Sequence, residues 1–258
     1  MRRVEPKVFL VGETRMDLKA VKDYFTHVGT NWWEMEDGSS DSEKLIEIMG
    51  RMCYKSWEPG LNKNITKIRK GNTPYIGNII KQKHGSVLEH GVSNWIVADV
   101  SRVFTHELIR HRAGTAFSQE SLRYVRLDDL GLWIPPEVTD PQLIQWCEEK
   151  FRSDETWLRK MTDYLKLDDP GKDFAYKKHW TSFLRRFAPD GVATAIGLSI
   201  NMRSIRHVVE YRTAEGAETE IRFVFDKIAK VACERWPAVM QDFKRTEQGE
   251  WKPEHSKV

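Results

Sequence analysis

The sequence predicts an α+β fold, and three observations carry the prediction. Long stretches place apolar residues at the three-and-four spacing of a helix buried on one side. Shorter runs rich in β-branched and aromatic residues read as strands. Of the 258 residues, 40% are hydrophobic and 31% charged, a balance that builds a globular core and excludes a disordered chain. Helices mixed with a few strands fit α+β. One enzyme-sized domain over 1–258 is the simpler organisation.

The elements follow in order. Val8, Phe9, Leu10 and Val11 form a strand that ends at Gly12, and a helix spans 17–25. Residues 36–43 are a polar loop, after which Ser42 begins a helix with Leu45, Ile48, Met49 and Met52 at helical spacing. A short helix covers 74–83. Residues 94–100 read as a strand, and Ser101 caps the next helix, with Val103, Phe104 and Leu108 toward the core. That helix brings Glu107, Arg110 and His111 to one side before Gly114 breaks it. Residues 128–141 hold three prolines and read as loop, and 141–166 as an amphipathic helix. Asp168-Asp169-Pro170-Gly171 is a turn, and the helix through Trp180 and Leu184 stops before Pro189. A buried strand over 192–200 leads to Asn201, a natural cap for a helix over 202–212. The last helix, 215–236, carries Ala217, Ile221, Val224, Phe225, Ile228 and Ala232 and ends at Pro237; the tail after Lys244 reads as polar and frayed.

Composition narrows the function. A net charge of +3 is too small for a general nucleic-acid coat. Three cysteines, Cys53, Cys147 and Cys233, without paired spacing argue against a disulfide framework or a structural zinc site. No run approaches a membrane span, and the first residues lack a signal-peptide apolar region, so a reducing cytoplasm is the default expectation. No Gly-x-Gly-x-x-Gly fingerprint or Walker loop is present, so any nucleotide must bind by another mode.

Residues 110–124 hold the densest chemistry. Arg110, Arg112 and Arg123 offer planar forks that match phosphate oxygens, and Thr115, Ser118 and Ser121 add neutral donors. A turn at Gly114 can aim backbone N–H groups at an anion. For any single arginine, a solvated helix end paired with Glu107 is the plainer reading; the cluster as a whole favours phosphate binding. A second cluster spans 201–212. There Ile205, Val208 and Val209 face the core, while Arg203 and His207 share another face beside Asn201. A lone histidine in such a helix is usually structural; an Arg–His pair beside an Asn cap suits a polar cofactor edge. The third cluster, His84 to His90, has the wrong spacing for the helical metal motif with histidines four apart. Glu89 and His90 are expected to make buried hydrogen bonds at a strand start.

These residues together resemble the flavin-dependent thymidylate synthases, also called thymidylate synthase complementing proteins. The signature of that family is Arg-His-Arg, seven variable residues, then Ser, usually followed by x-Arg-Tyr. Arg110-His111-Arg112 and Ser121-Leu122-Arg123-Tyr124 match both ends, with eight residues between instead of seven. The flanking matches favour a one-residue insertion. His84 to His90, Asn201-x-Arg203, Arg185 and Arg212 extend the resemblance over about 45–243, while the Trp-rich part of 129–175 is anchored by no motif.

The resemblance implies a mostly antiparallel sheet packed by helices and a homotetramer with shared active sites. It implies that FAD is reduced by NADPH and that carbon from 5,10-methylenetetrahydrofolate is moved to C5 of dUMP. It places Ser86, Arg110, His111, Arg112, Gln119, Asn201, Arg203 and His207 at the flavin. It places Glu107, Arg110, Gln119, Glu120, Ser121, Leu122, Arg123, Arg185 and Arg212 around dUMP. His84 falls on the folate and nicotinamide side, and Arg212 has the catalytic role. No cysteine attacks the pyrimidine in this family, and no metal, nucleic acid or membrane is implied. Two other classes stay open on the residues alone. One is a nucleic-acid-binding module using the arginine-rich corner with aromatic stacking; the other is a metal hydrolase using His84 and His90.

Overall fold

The structure, a computed structural model, describes residues 1–30 and 39–258. Its helices and strands alternate along the chain in an α+β arrangement. Contacts divide it into two compact units. Unit 1 comprises Met1–Phe9, Ile96–Arg110 and Phe117–Leu198; unit 2 comprises Leu10–Trp95, His111–Ala116 and Ser199–Val258.

The main sheet is built from β2 (Lys7–Glu13), β3 (Val92–Ser101), β6 (Ala193–Asn201) and β4 (Thr115–Gln119), in that order. The pairs run antiparallel. The Thr14 amide donates to the Val92 carbonyl, Ser93 Oγ to the Ile200 carbonyl, and the Asn201 and Glu120 amides to the carbonyls of Gly114 and Ala195. As one partner number rises the other falls, 114 with 201 and 120 with 195, and 93 with 200 and 94 with 199, which is the antiparallel signature. In β6 buried and half-buried residues alternate, as the period of two requires.

In unit 1, β1 (Arg2–Arg3) pairs in parallel with β5 (Gly131–Leu132), a short strand inside the proline-rich stretch expected to be loop only. The amphipathic pattern over 141–166 becomes α5 (Pro141–Tyr164), capped by Asp140 with proline in the first turn. The core here is Leu130, Leu132, Phe151, Leu158, Leu167, Leu184 and Val192. Leu184 closes α6 (Phe174–Leu184), and a 3-10 turn, Arg185–Phe187, follows. The helix starting at Ser101 is α4 (Arg102–Leu108); it ends before Arg110, so Gly114 does not terminate it. Val103 is 38% exposed because it points away from the side on which Phe104 and Leu108 are buried.

Unit 2 holds α1 (Leu18–His27), capped by Asp17, and α2 (Asp41–Tyr54). Ser40 is the cap of α2, not Ser42: Ser40 and Glu43 form a reciprocal capping box, and Ser42 is buried. Of the loop expected over 36–43, residues 36–38 lie outside the described residues, and helix has begun by Asp41. Met52 is exposed at the far end of α2. Inside the unit, Arg51 donates twice to Glu47 and also to the carbonyls of Ser56 and Arg69, while Asn72 donates to Glu47. Such a buried pair is tolerable because further hydrogen bonds satisfy both charges.

Next come α3 (Asn72–Lys81), α7 (Met202–Arg212) and α8 (Thr219–Arg235). The last starts at the Glu218 cap, later than the periodicity implied, and leaves Ala217 outside it. Ile205, Val208 and Val209 of α7 and Ile221, Val224, Phe225 and Ile228 of α8 are all at most 1% exposed. Each such burial contributes roughly 1.5–3 kcal/mol before entropy is set against it. The tail expected to fray instead forms a hairpin, β7 (Phe243–Arg245) with β8 (Trp251–Pro253). Its apolar anchors, Phe243 and Trp251, are each 9% exposed, which is why a mostly polar sequence stays ordered.

Candidate active site

In unit 2 residues 111–116 of the signature stretch fold onto the start of α7. Asn201 caps the helix by accepting from the Ser204 amide at 2.8 Å. Ser204 Oγ donates to the Ala113 carbonyl at 2.7 Å, and the Met202 amide donates to the Gly91 carbonyl at 2.9 Å. Thr115 Oγ closes the turn on the His111 carbonyl at 2.5 Å, so this hydroxyl is used locally, not held out as an anion donor. Gly114 sits at φ +68°, and a Cβ there would collide with Asn201 Nδ2 and lie 2.6 Å from Ser204 Oγ. The motif is therefore a turn followed by β4, where a loop-and-helix corner was expected.

That turn delivers His111 to the end of α7. Arg212, 7% exposed, donates from Nε to His111 Nε2 at 2.6 Å. His207 and Tyr211, one helical turn apart, stack at 6.0 Å and 24°, and the His111 ring meets both edge-on at 6.2 and 6.0 Å. The Arg212 guanidinium lies 5.3 Å from the Tyr211 ring centre. A cavity of about 450 Å³ adjoins, lined by His207, Glu210, Tyr211, Lys252, Ser256 and Lys257 among others.

Around the same helix, Arg203 donates to Glu89 at 2.6 Å and to the main-chain oxygen of Val258 at 2.8 Å. Glu89 and His90 are exposed and belong to a 3-10 turn, Gly85–His90, so the buried hydrogen bonds expected for them are not formed. The residues simply precede β3 instead of entering it. His84, Ser86 and Arg112 are exposed as well. Arg206, which the sequence did not single out, is 4% exposed and forks onto Asp242 at 2.7 and 3.0 Å. Its partner lies 36 residues away, so no local spacing signalled it. Tyr211 was also missed, although its position four after His207 puts it on the same face.

Unit 1 carries the other half of the motif. Arg110 pairs with Glu107 at 3.3 Å. Gln119 Nε2 donates to Thr105 Oγ at 3.2 Å. Glu120 accepts from the Ala195 amide at 3.0 Å and from Thr194 Oγ at 3.4 Å, fixing the end of β4 to β6. Ser121 Oγ accepts from the Arg123 amide, Arg123 Nε donates to Ser182 Oγ at 3.0 Å, and Leu122 is buried. Arg185 is exposed in the turn after α6. Glu107, Arg110, Gln119, Glu120 and Arg123 thus already have protein partners, and Arg185 stands in solvent.

Among the cysteines, Cys53 is exposed, and burial pushes the Cys233 thiol up to about 11, which keeps it protonated and unreactive at neutral pH. Among the described residues no group of three or more His, Cys, Asp or Glu side chains could hold a metal ion. No helix among them is long and apolar enough to cross a membrane.

A family model described as thymidylate synthase complementing protein matches residues 34–238. The chain belongs to that family. It is 31% identical over 235 residues to the flavin-dependent thymidylate synthase of Corynebacterium diphtheriae, covering 88% of this chain and 89% of that one. It is 31% identical over 237 residues to the enzyme of the same name from Mycobacterium avium, covering 90% and 91%. Among solved structures, the fold matches a UMP/dUMP methylase PolB from Streptomyces cacaoi bound with 5-Br dUMP, with TM-score 0.61, 15% identity, and 92% and 94% coverage. It also matches ThyX from Helicobacter pylori complexed with FAD and dUMP, with TM-score 0.53, 15% identity, and 89% and 97% coverage. At such identity the two structures speak to the fold, and the curated relatives to the family.

Proposed function

We propose that this family member is a flavin-dependent thymidylate synthase that converts dUMP to dTMP. The carbon comes from 5,10-methylenetetrahydrofolate, which leaves as tetrahydrofolate, and NADPH reduces the FAD. The observation that carries the proposal is the meeting of His111, His207 and Arg212 in unit 2, drawn from positions up to about 100 residues apart, beside a cavity of about 450 Å³.

The residues present fit a flavin nucleotide. Stacked rings wall the cavity, and Arg203, Arg112, Asn201, Ser86, His111 and His207 supply cationic and neutral donors without a phosphate-binding glycine loop. Bound flavin supplies the reducing equivalents, chemistry that no side chain here provides. Arg110 and Gln119 serve both ligands. Glu107, Glu120, Ser121, Leu122, Arg123 and Arg185 take the dUMP side, where guanidinium forks suit its phosphate. Arg212 is the catalytic residue: a fixed cation against the pyrimidine stabilises negative charge developing at N3 and O4 and so activates C5 as a carbon nucleophile. His84 serves the folate and nicotinamide side. The working assembly is a cytoplasmic homotetramer.

The test is the visible spectrum of the purified protein together with dTMP formation from dUMP, NADPH and the folate. The expected result is a flavin spectrum and turnover. Arg212→Ala is expected to retain flavin and to lose ~10²–10³ in kcat, the scale for removing one transition-state donor, with Arg212→Lys controlling for folding. A colourless protein that binds no added FAD and makes no dTMP would overturn the proposal, and unchanged turnover in Arg212→Ala would remove Arg212 from its role.

A further inference from the structure

We propose that His111 is a positioning residue for Arg212, acting through a fixed imidazole tautomer. The inference rests on the thymidylate synthase reading for what Arg212 does, but its structural basis is separate. A guanidinium Nε–H only donates, so His111 Nε2 must accept, and the imidazole proton is carried on Nδ1. The donor is a cation, so this 2.6 Å bond is charge-assisted.

Two consequences follow for Arg212. Its Nε is committed to His111 and is not available to a bound pyrimidine. Its plane is also held from two directions, by His111 at Nε and by the Tyr211 ring 5.3 Å away. The support is itself well anchored. Thr115 Oγ fixes the His111 carbonyl, and His207 and Tyr211 flank its ring. Rotamer freedom removed in this way improves a catalytic group, because a misaligned cation loses most of its value to the transition state. The histidine of the Arg-His-Arg motif thereby orients the catalytic arginine through Nε2.

The experiment compares His111→Leu, which removes the acceptor, with His111→Gln, whose Oε1 replaces Nε2. With FAD held at saturation, His111→Leu is expected to lower kcat by ~10- to 100-fold, the worth of one hydrogen bond to a charged group, and His111→Gln to recover most of it. An independent readout is the ¹⁵N spectrum of histidine-labelled protein, assigned with His111→Gln. His111 Nε2 is expected to be unprotonated in the wild type and to shift in Arg212→Ala. A protonated Nε2, an Nε2 signal indifferent to Arg212→Ala, or a flavin-saturated His111→Leu enzyme with wild-type kcat would overturn the inference. A flavin-loaded wild type that makes no dTMP would overturn the functional reading instead, and the ¹⁵N result would then decide the His111–Arg212 bond by itself.

Discussion

Gly114 shows how much a single residue controls. Its positive φ costs any residue with a Cβ roughly 1–2 kcal/mol, and the added carbon would also displace the side chain that caps α7. Gly114→Ala is therefore expected to destabilise the protein by about 1–3 kcal/mol, combining backbone strain with partial loss of a cap. It should also weaken flavin binding, because α7 carries Arg203 and His207. Thermal unfolding and a flavin titration check this; an unchanged Tm with unchanged affinity would show that the turn relaxes freely. At this scale the sequence was informative for much of the local chemistry, although it put the cap of α2 at Ser42 instead of Ser40. Asn201 as a cap, Glu107 beside Arg110, and the core face of α7 all follow from spacing. Arg206–Asp242 and His111–Arg212 did not follow, because 36 and 101 residues separate the partners and only the tertiary fold joins them.

Among the elements, the C-terminal hairpin departs most from the sequence expectation. Its polar residues gave no periodic signal, and its order comes from a hub in α8. Burial alone would raise the Asp226 pKa, but hydrogen bonds from Arg245, Lys230 and Trp251 outweigh it and hold the carboxyl below its ordinary value. The geometry agrees, with contacts of 2.6, 2.6 and 2.9 Å. A group whose pKa is lowered by folding stabilises the folded state above its unfolded value, about 3.9, and loses that contribution as pH falls through the folded value. Asp226→Asn should cost roughly 1–2 kcal/mol at pH 7, the low end because both cations are about half exposed. In urea unfolding the gap between variant and wild type should narrow at pH 3; a gap of the same size at both pH values would exclude the carboxylate as its source. Elements with strong periodicity, such as α5 and α8, were legible to within a few residues. The pair β1 and β5, two residues each, is too short for any pattern to mark.

For the whole molecule, the family match over 34–238 and coverage of about nine-tenths of the curated relatives fix the fold and lineage, while the site assignment stays with individual side chains. Large apolar groups remain exposed in unit 1, with Trp146 at 60%, Tyr164 at 81% and Phe174 at 65%. Exposure on this scale is consistent with burial between subunits. Sedimentation of the purified protein is expected to find a particle of four chains, and a monomer at micromolar concentration would overturn the tetramer.

α7 finally sets a rule about length. Arg203, His207 and Arg212 hang from one continuous 11-residue helix, in which each added residue turns everything beyond it by about 100°. One extra residue inside it would swing Arg212 away from His111, whereas the signature stretch before Ser121 already carries one more residue than the family pattern. Insertions and deletions among natural variants should therefore be absent from 202–212.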